Sequence, residues 1–333
     1  MISGVGVLVD GFGRPLTNLR ISLTSECNYS CIFCHREGEG SAPDALSAED
    51  VELVASAAYL HGVRAFKLTG GEPLLRPDIV EVVSRLKGVG RGVEVSMTTN
   101  GFFLHEQVGR LVEAGLDRVN VSLHGVGPEV YTRMTGMPGS ERVLRGLRAA
   151  KDNGLPVKLN FVLTALNAGE LPRLLDFASS MELDINLIEL IPTGRGREVF
   201  SSLYLPVEKV LPVLHARAAR VERRSLHNRP VFLMPEGVRV EVIANYCNPL
   251  FCMGCTRIRL THDAKLKPCL NRNDDLVDVS AVLRDPALSR EEKVERLEEA
   301  IRVANSKREP FFKLVNGYCA TADGRVLGKP RSI

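Results

Sequence analysis

Short β-branched runs alternate with amphipathic helical segments through the first two thirds of the chain, and this alternation limits the fold more than any other feature. Strands are predicted at Leu19–Thr24, Ala65–Thr69, Val93–Thr98, Arg118–Leu123, Val157–Leu163 and Ile185–Ile191. Helices are predicted between them. Ser47–His61 opens on a capping-box spacing, Ser47 with Asp50, and stops at Gly62. Pro77–Lys87, Glu106–Ala114 and Glu141–Asn153 each stop at a glycine, and Glu170–Met181 carries Leu171, Leu174, Leu175 and Ala178 on one face. Repeated strand–helix units imply a parallel sheet with crossover connections. Distinctive residues recur where the strands end: Cys27, then Gly70, Gly71 and Glu72, then Thr98 and Asn100, Ser122 and His124, Pro192 and Gly194. A barrel gathers such residues on one face, so an α/β fold with a partial (βα) TIM-type barrel is expected.

Past about residue 200 the alternation fades. Leu205–Arg220 and Arg290–Val303 have helical periodicity, and a cysteine-rich stretch runs from Cys247 to Cys269. The 333 residues suit a barrel of residues 1–204 and a C-terminal annex of residues 205–333. Leu314–Ile333, with its glycines, proline and basic residues, reads as an extension with little core. Lys and Arg total 43 against 40 Asp and Glu, and there is no Trp, so a nucleic-acid partner is not expected. No apolar run reaches the roughly 18 residues of a spanning helix, and Met1–Pro15 lacks the pattern of a secretory signal. A cytoplasmic location with reduced thiols is expected.

Eight cysteines then need another explanation than disulfides. Cys27, Cys31 and Cys34 are spaced C-x3-C-x2-C. Three thiolates can hold a cubane and leave one iron open for a ligand. A zinc loop that recruits His35 is the structural alternative. Cys252, Cys255 and Cys269, spaced C-x2-C-x13-C, mark a second metal site. A four-ligand zinc ribbon that includes Cys247 fits this spacing almost as well.

The first cysteine set together with Leu68-Thr69-Gly70-Gly71-Glu72-Pro73 resembles the radical S-adenosylmethionine (SAM) superfamily. The chain further resembles the GTP 3′,8-cyclases of molybdenum cofactor biosynthesis from about Arg20 to Phe312. The motifs that carry this are LRISLT, LTGGEPLLR, TTNG, RVNVSL, IELIPTG and CxxCxRIRLT with a distant cysteine, in that order.

The resemblance implies two [4Fe–4S] clusters, one on Cys27, Cys31 and Cys34 that chelates SAM, the other on Cys252, Cys255 and Cys269 with an open iron toward guanine. It implies SAM contacts around Phe33, Gly71, Ser122 and Ile191. It implies GTP contacts at Arg20, Lys67, Thr98, Lys158, Arg257 and Arg259, with the backbone of Ile258. The residues support part of this independently, since a triphosphate needs arginine forks and lysine charges, and a charge on a barrel strand needs a partner. The expected reaction is conversion of GTP to (8S)-3′,8-cyclo-7,8-dihydroguanosine 5′-triphosphate. Expected partners are a low-potential donor of flavodoxin or ferredoxin type and cyclic pyranopterin monophosphate synthase as the next enzyme; a homodimer is compatible. The alternative is a radical SAM enzyme with an auxiliary cluster that modifies a peptide. Some positions depart from the family pattern: Phe33 for Tyr, Ile191 for Met, His124 for Asp, an additional thiol at Cys247, and an end that lacks Gly-Gly.

Overall fold

A computed structural model describes residues 6–40 and 42–331. The six predicted strands form: β1 (Asn18–Ser22), β2 (Ala65–Thr69), β3 (Glu94–Thr99), β4 (Arg118–Ser122), β5 (Val157–Leu163) and β6 (Asp184–Glu189). They lie side by side in chain order, and each neighbouring pair is parallel. The covering helices are α1 (Ala48–Leu60), α2 (Ile79–Gly88), α3 (Leu104–Glu113), α4 (Pro128–Thr135), α5 (Ser140–Asp152) and α6 (Leu171–Met181). The expected capping box starts α1: Asp50 N donates to Ser47 Oγ at 3.1 Å, and Ser47 N donates to Asp50 Oδ2 at 2.9 Å. The short α4 follows Gly125 and Gly127 and was not anticipated.

The later chain does more than append a unit. It forms β7 (Arg220–Arg224), β8 (Arg229–Leu233), β9 (Arg239–Ile243), β10 (Arg257–Leu260), β11 (Lys265–Lys267) and β12 (Val277–Asp278). β9 pairs in parallel with β6, and β10 pairs in parallel with β1. The resulting twelve-stranded sheet has β12 and β7 at its edges, so the barrel is open. The predicted helix Leu205–Arg220 is a correction. Only Leu211–Arg217 is α-helical, because Pro206 and Pro212 interrupt the ladder, and Arg220 already belongs to β7. The predicted helix Arg290–Val303 forms as Arg290–Ser306.

The expected extension at Leu314–Ile333 is also corrected. Phe312–Val315 (β13), Tyr318–Thr321 (β14) and Val326–Gly328 (β15) make a separate antiparallel sheet. Its buried Cys319 and Phe312 pack with Cys247. Ser332 and Ile333, and Met1–Val5 at the other end, lie outside the described residues.

Strand alternation sorts the side chains. Leu19, Ile21, Phe66, Leu68, Val95, Met97, Val119 and Val121 are fully buried beneath the helices. Each contributes about 1.5–3 kcal/mol of burial. Their neighbours Arg20, Lys67, Ser96, Asn120, Lys158, Asn160 and Asn186 face the lumen. A barrel of this kind is normally filled by Val, Ile and Leu. A polar lining of this sort leaves room for a polar ligand.

Candidate active site

The lumen is a cavity of about 380 Å³, within the usual range for small-molecule sites. Both thiol sets line it. Cys27, Cys31 and Cys34 follow the C-terminal end of β1. Cys252 and Cys255 precede β10, whose first residue, Arg257, is in register with Asn18 at the start of β1. Cys269 follows β11, which runs antiparallel to β10 and pairs Lys267 with Arg259. The two sets therefore stand at opposite ends of the parallel strands.

Backbone contacts hold the first thiol loop. Ser30 N donates to Thr135 O at 3.0 Å, and Ile32 N donates to Met134 O at 3.1 Å, so the end of α4 anchors one side. Arg195 N donates to Cys34 O at 2.9 Å on the other. The two glycines after β2 serve a close approach. A Cβ at Gly71 would stand 1.9 Å from Glu26 O, and Gly71 N donates to Thr24 O at 2.7 Å. The tight fit is to the thiol loop itself, and what Gly71 offers a ligand is its carbonyl. Glu72 is buried, and its carboxylate accepts from Thr99 Oγ1 at 2.6 Å and Asn100 N at 2.7 Å, which ties the end of β2 to that of β3. Burial lifts this carboxyl to about 7.

Burial pushes the Cys27 thiol up to about 11 and raises Cys31 and Cys34 as well. Deprotonated thiols there need a cationic centre to offset desolvation. Among the described residues no three Cys, His, Asp or Glu side chains close on one ion. A cubane does not ask for that, since each thiolate binds a different iron. His35, the alternative zinc ligand, accepts the Glu37 N–H on Nδ1 at 2.9 Å. Three thiols beside a partly buried glycine loop, on a cavity of about 380 Å³, fit an iron–sulfur cluster with room for SAM.

Two arginines that the sequence did not single out clamp the second thiol loop. Arg308, 1% exposed, donates to Cys255 O at 2.5 Å and to Arg14 O at 3.1 Å. Arg14 donates to Cys252 O at 2.9 Å. Burial pushes the Cys252 thiol up to about 12. Cys247 packs with Cys319 and Phe312 in a cluster against which Cys252 also packs, and its Sγ lies 3.9 Å from Lys329 O.

Between the ends stands a cationic belt. Arg259, Arg20 and Lys67 occupy one register row across β10, β1 and β2. Arg20 is 3.1 Å from Glu37 Oε1, and Arg259 is 2.5 Å from Glu37 Oε2. Burial alone would raise the Glu37 carboxyl, but Arg20, His35 and Arg259 outweigh it and hold it well below the usual range. Lys158 pairs with Glu241 at 3.1 Å, alongside Arg224 and Arg229. Lys67 and Arg257 have no side-chain polar partner among the described residues. Burial and neighbouring arginines depress both, Arg257 to about 9. Thr98 Oγ1, Arg20 Nε and Arg229 Nε are buried without partners.

Every expected site residue lines this cavity except Ile258, whose side chain is fully buried in the helix-facing core. Glu37, Arg229 and Glu241 were missed. Glu37 lies three residues past Cys34 and was within reach of a search near the motif. Arg229 and Glu241 enter from a β-meander with no motif of its own.

An open parallel barrel whose first strand ends in a C-x3-C-x2-C loop defines the class as radical SAM enzymes. Residues 21–178 match the Radical SAM superfamily, and residues 183–314 match Molybdenum Cofactor Synthesis C. The chain is 44% identical over 309 residues to a probable GTP 3′,8-cyclase of Metallosphaera sedula, covering 92% of this chain and 97% of that one. It is 47% identical over 306 residues to the Sulfolobus acidocaldarius protein of the same name, covering 91% and 96%. The chain belongs to the GTP 3′,8-cyclase family. Among solved structures, Streptococcus suis SuiB bound to precursor peptide SuiA has a TM-score of 0.60 at 16% identity, covering 89% of this chain and 67% of that one. Native anSMEcpe with bound AdoMet gives 0.52 at 15% identity, covering 79% and 77%. Both likenesses are of fold.

Proposed function

We propose that this protein converts GTP to (8S)-3′,8-cyclo-7,8-dihydroguanosine 5′-triphosphate, the first step of molybdenum cofactor biosynthesis, in the lumen between its two thiol sets. One observation carries the substrate assignment: Lys67 and Arg257 face the cavity as half-buried basic groups without carboxylate partners, beside Arg20, Arg229 and Arg259. Such an excess of positive charge needs an anion, and a triphosphate supplies one. The peptide-modifying alternative is not favoured, because the relatives at 44–47% identity are named GTP 3′,8-cyclases.

In this reading Cys27, Cys31 and Cys34 hold a [4Fe–4S] cluster, and Gly71, Phe33, Ser122 and Ile191 seat SAM against it. When bound, the cluster and SAM would supply the one-electron chemistry that removes the 3′ hydrogen of GTP. Cys252, Cys255 and Cys269 would hold a second [4Fe–4S] cluster, which with three protein ligands would have room to bind the base. The belt residues Arg20, Lys67, Thr98, Lys158, Arg257 and Arg259 grip the triphosphate and fix the ribose between the two ends, while Ile258 contributes only backbone. The protein's work is to position and to exclude water, and no general-base pair is required. Residues 1–204 form the SAM half and residues 205–333 the half that holds the base. A flavodoxin- or ferredoxin-type donor, delivery to cyclic pyranopterin monophosphate synthase and a cytoplasmic location complete the reading.

The test is anaerobic reconstitution, then incubation with SAM, reductant and either GTP or ATP. Formation of the cyclised product from GTP alone is expected. Equal turnover of ATP would reject the assignment.

A further inference from the structure

Arg308 lies two residues past the helix Arg290–Ser306, and it is 1% exposed. It lines the cavity at the second thiol set, where it donates to Cys255 O at 2.5 Å. Its other bonds go to Asn305 Oδ1 at 3.0 Å and Arg14 O at 3.1 Å, and Asp10 Oδ2 stands 3.4 Å away. Arg14 donates to that same Asp10 oxygen at 2.8 Å and to Cys252 O at 2.9 Å. The Asp10 carboxylate is fully buried, and Arg14 is buried as well. Two guanidiniums and one carboxylate therefore stand against the second thiol loop, and one positive charge is left over. Leaving it buried and uncompensated is costly. The Nε–H of Arg308 is also buried without a partner among the described residues. Excess charge and an unused donor on one side chain both call for an anion. Burial opposes the guanidinium charge, and Cys255 is the group that supports it most. The neighbouring carboxylate of Glu309 is already taken by Arg272 and Lys313.

We infer that Arg308 is a positioning residue for the second cluster that also raises its reduction potential, its guanidinium offsetting the charge of the thiolates while it holds the loop at Cys255. The inference rests on the reading that Cys252, Cys255 and Cys269 hold a [4Fe–4S] cluster, and it deepens that reading. Three thiolates outnumber the two positive charges of an oxidised core by one. The site would thus carry one net negative charge when oxidised and two when reduced. A fixed positive charge beside it stabilises the reduced state more than the oxidised one. Asp10 works in the opposite sense, because its carboxylate cancels part of the charge that Arg14 and Arg308 supply. The strand cations Arg20, Lys67, Arg257 and Arg259 belong to the triphosphate, which brings its own negative charge to them.

Three substitutions separate charge from structure. Arg308→Gln removes the charge. Arg308→Lys keeps the charge and loses the guanidinium fork. Asp10→Asn removes the opposing carboxylate and keeps an oxygen for the Phe12 and Arg14 N–H groups. Each is made in the full chain and again with Cys31→Ala, where the second cluster stands alone. The measurement is an anaerobic redox titration of the reconstituted proteins followed by electron paramagnetic resonance, with iron analysis and thermal melts on the same samples. Arg308→Gln should lower the potential of the second cluster by about 59 mV, a tenfold change in the one-electron equilibrium. Arg308→Lys should recover most of this, and Asp10→Asn should raise the potential above wild type. Arg308→Gln and Asp10→Asn should both melt earlier, so a loosened loop alone would move their potentials the same way. The potential of the first cluster should stay at its wild-type value throughout. An unchanged potential in Arg308→Gln overturns the inference. So does a potential in Arg308→Lys as low as in Arg308→Gln, or a shift of the same sign in Arg308→Gln and Asp10→Asn. Should Arg308→Gln fail to load iron, the Lys and Asn variants decide by the same signs. If Cys31→Ala alone shows no cluster signal, the reading of the second thiol set falls and takes the inference with it, whereas a signal indifferent to all three substitutions strikes the inference alone.

Discussion

At the residue scale, the basic side chains on the lumen fall into two kinds, and the distinction was not legible in the sequence. Arg20 and Arg259 look equivalent to Lys67 and Arg257 as strand residues, but Glu37 pairs only the first two. Glu37 gets there through a left-handed backbone, φ 49°, just past the thiol loop, which no periodicity reports. Different outcomes follow. Lys67→Ala and Arg257→Ala should each weaken GTP binding about tenfold to hundredfold and leave the melting temperature near wild type. Arg259→Ala should weaken GTP binding and also destabilise the fold by about 3 kcal/mol, since it strips one partner from a buried carboxylate. Binding titrations and thermal melts on the same preparations separate the two; a marked loss of stability in Lys67→Ala would contradict the assignment of free and paired cations. Glu241 offers a pH test. Burial would raise its carboxyl, but Arg229, Lys158 and Arg224 together pull it down to about 2. A depressed folded-state value stabilises the protein above the ordinary carboxyl range, and that contribution fades as pH falls toward 2. Wild type should therefore lose stability on acidification more steeply than Glu241→Gln, whose curve should be flatter below about pH 5. Matching acid limbs in denaturation series would rule this out.

At the element scale, the sequence revealed the units with strong local signals. Ala65–Thr69 and Val157–Leu163 form at the predicted bounds, because core-facing apolar residues alternate there with lumen-facing Lys67, Lys158 and Asn160 and the runs are bounded by turns. The later strands stayed hidden for a physical reason. β7 reads Arg-Val-Glu-Arg-Arg and is exposed along its length, so no burial pattern marks it. β10 is short and acquires strand geometry through pairing with β1, which lies more than 230 residues away, and β11 in turn pairs with β10. The sheet of β13–β15 pairs locally but was missed because its strands are only three or four residues long and β13 and β15 are largely unburied, and it changes what the tail is expected to do. Cys319 is fully buried against Cys247 and Phe312, and that cluster reaches partly buried Cys252. Beyond β15, Arg331 donates to Glu189 Oε1 at 2.5 Å and to Glu208 Oε1 at 2.7 Å, and so fastens the tail to the end of β6. Truncation after Lys313 should therefore lower the iron held by the second thiol set while the first set keeps its own. Arg331→Ala should leave iron unchanged and make the tail more open to protease. Iron analysis and limited proteolysis check both; a truncated chain with full iron would return the tail to a mere extension.

At the scale of the whole molecule, the opposed placement of the two thiol sets is the organising fact, and the sequence held half of it. The spacings C-x3-C-x2-C and C-x2-C-x13-C identify two sites but not their relation in space. That relation comes from β10, which returns to pair with β1 and sets the second site at the far end of the same strand. The cationic belt then lies between the ends, and one ligand can span from the belt to the end that carries Cys252, Cys255 and Cys269. This geometry makes the two sites separable in chemistry. Cys31→Ala should remove about half the iron, because each cubane needs its own three thiolates, and should abolish SAM cleavage. Cys255→Ala should remove the other half yet keep some SAM cleavage, now uncoupled from GTP, since the first loop is held by α4 and Arg195 rather than by anything near Cys255. Cys247→Ser should retain both clusters, because Cys247 faces Cys319 and the tail. Anaerobic iron and sulfide analysis, paired with chromatography of 5′-deoxyadenosine and the cyclised product, reads all three. Loss of SAM cleavage in Cys255→Ala with the first cluster intact would mean that the two ends act as one unit. A four-thiol second site would show itself as loss of that cluster in Cys247→Ser, and would leave no open iron for guanine.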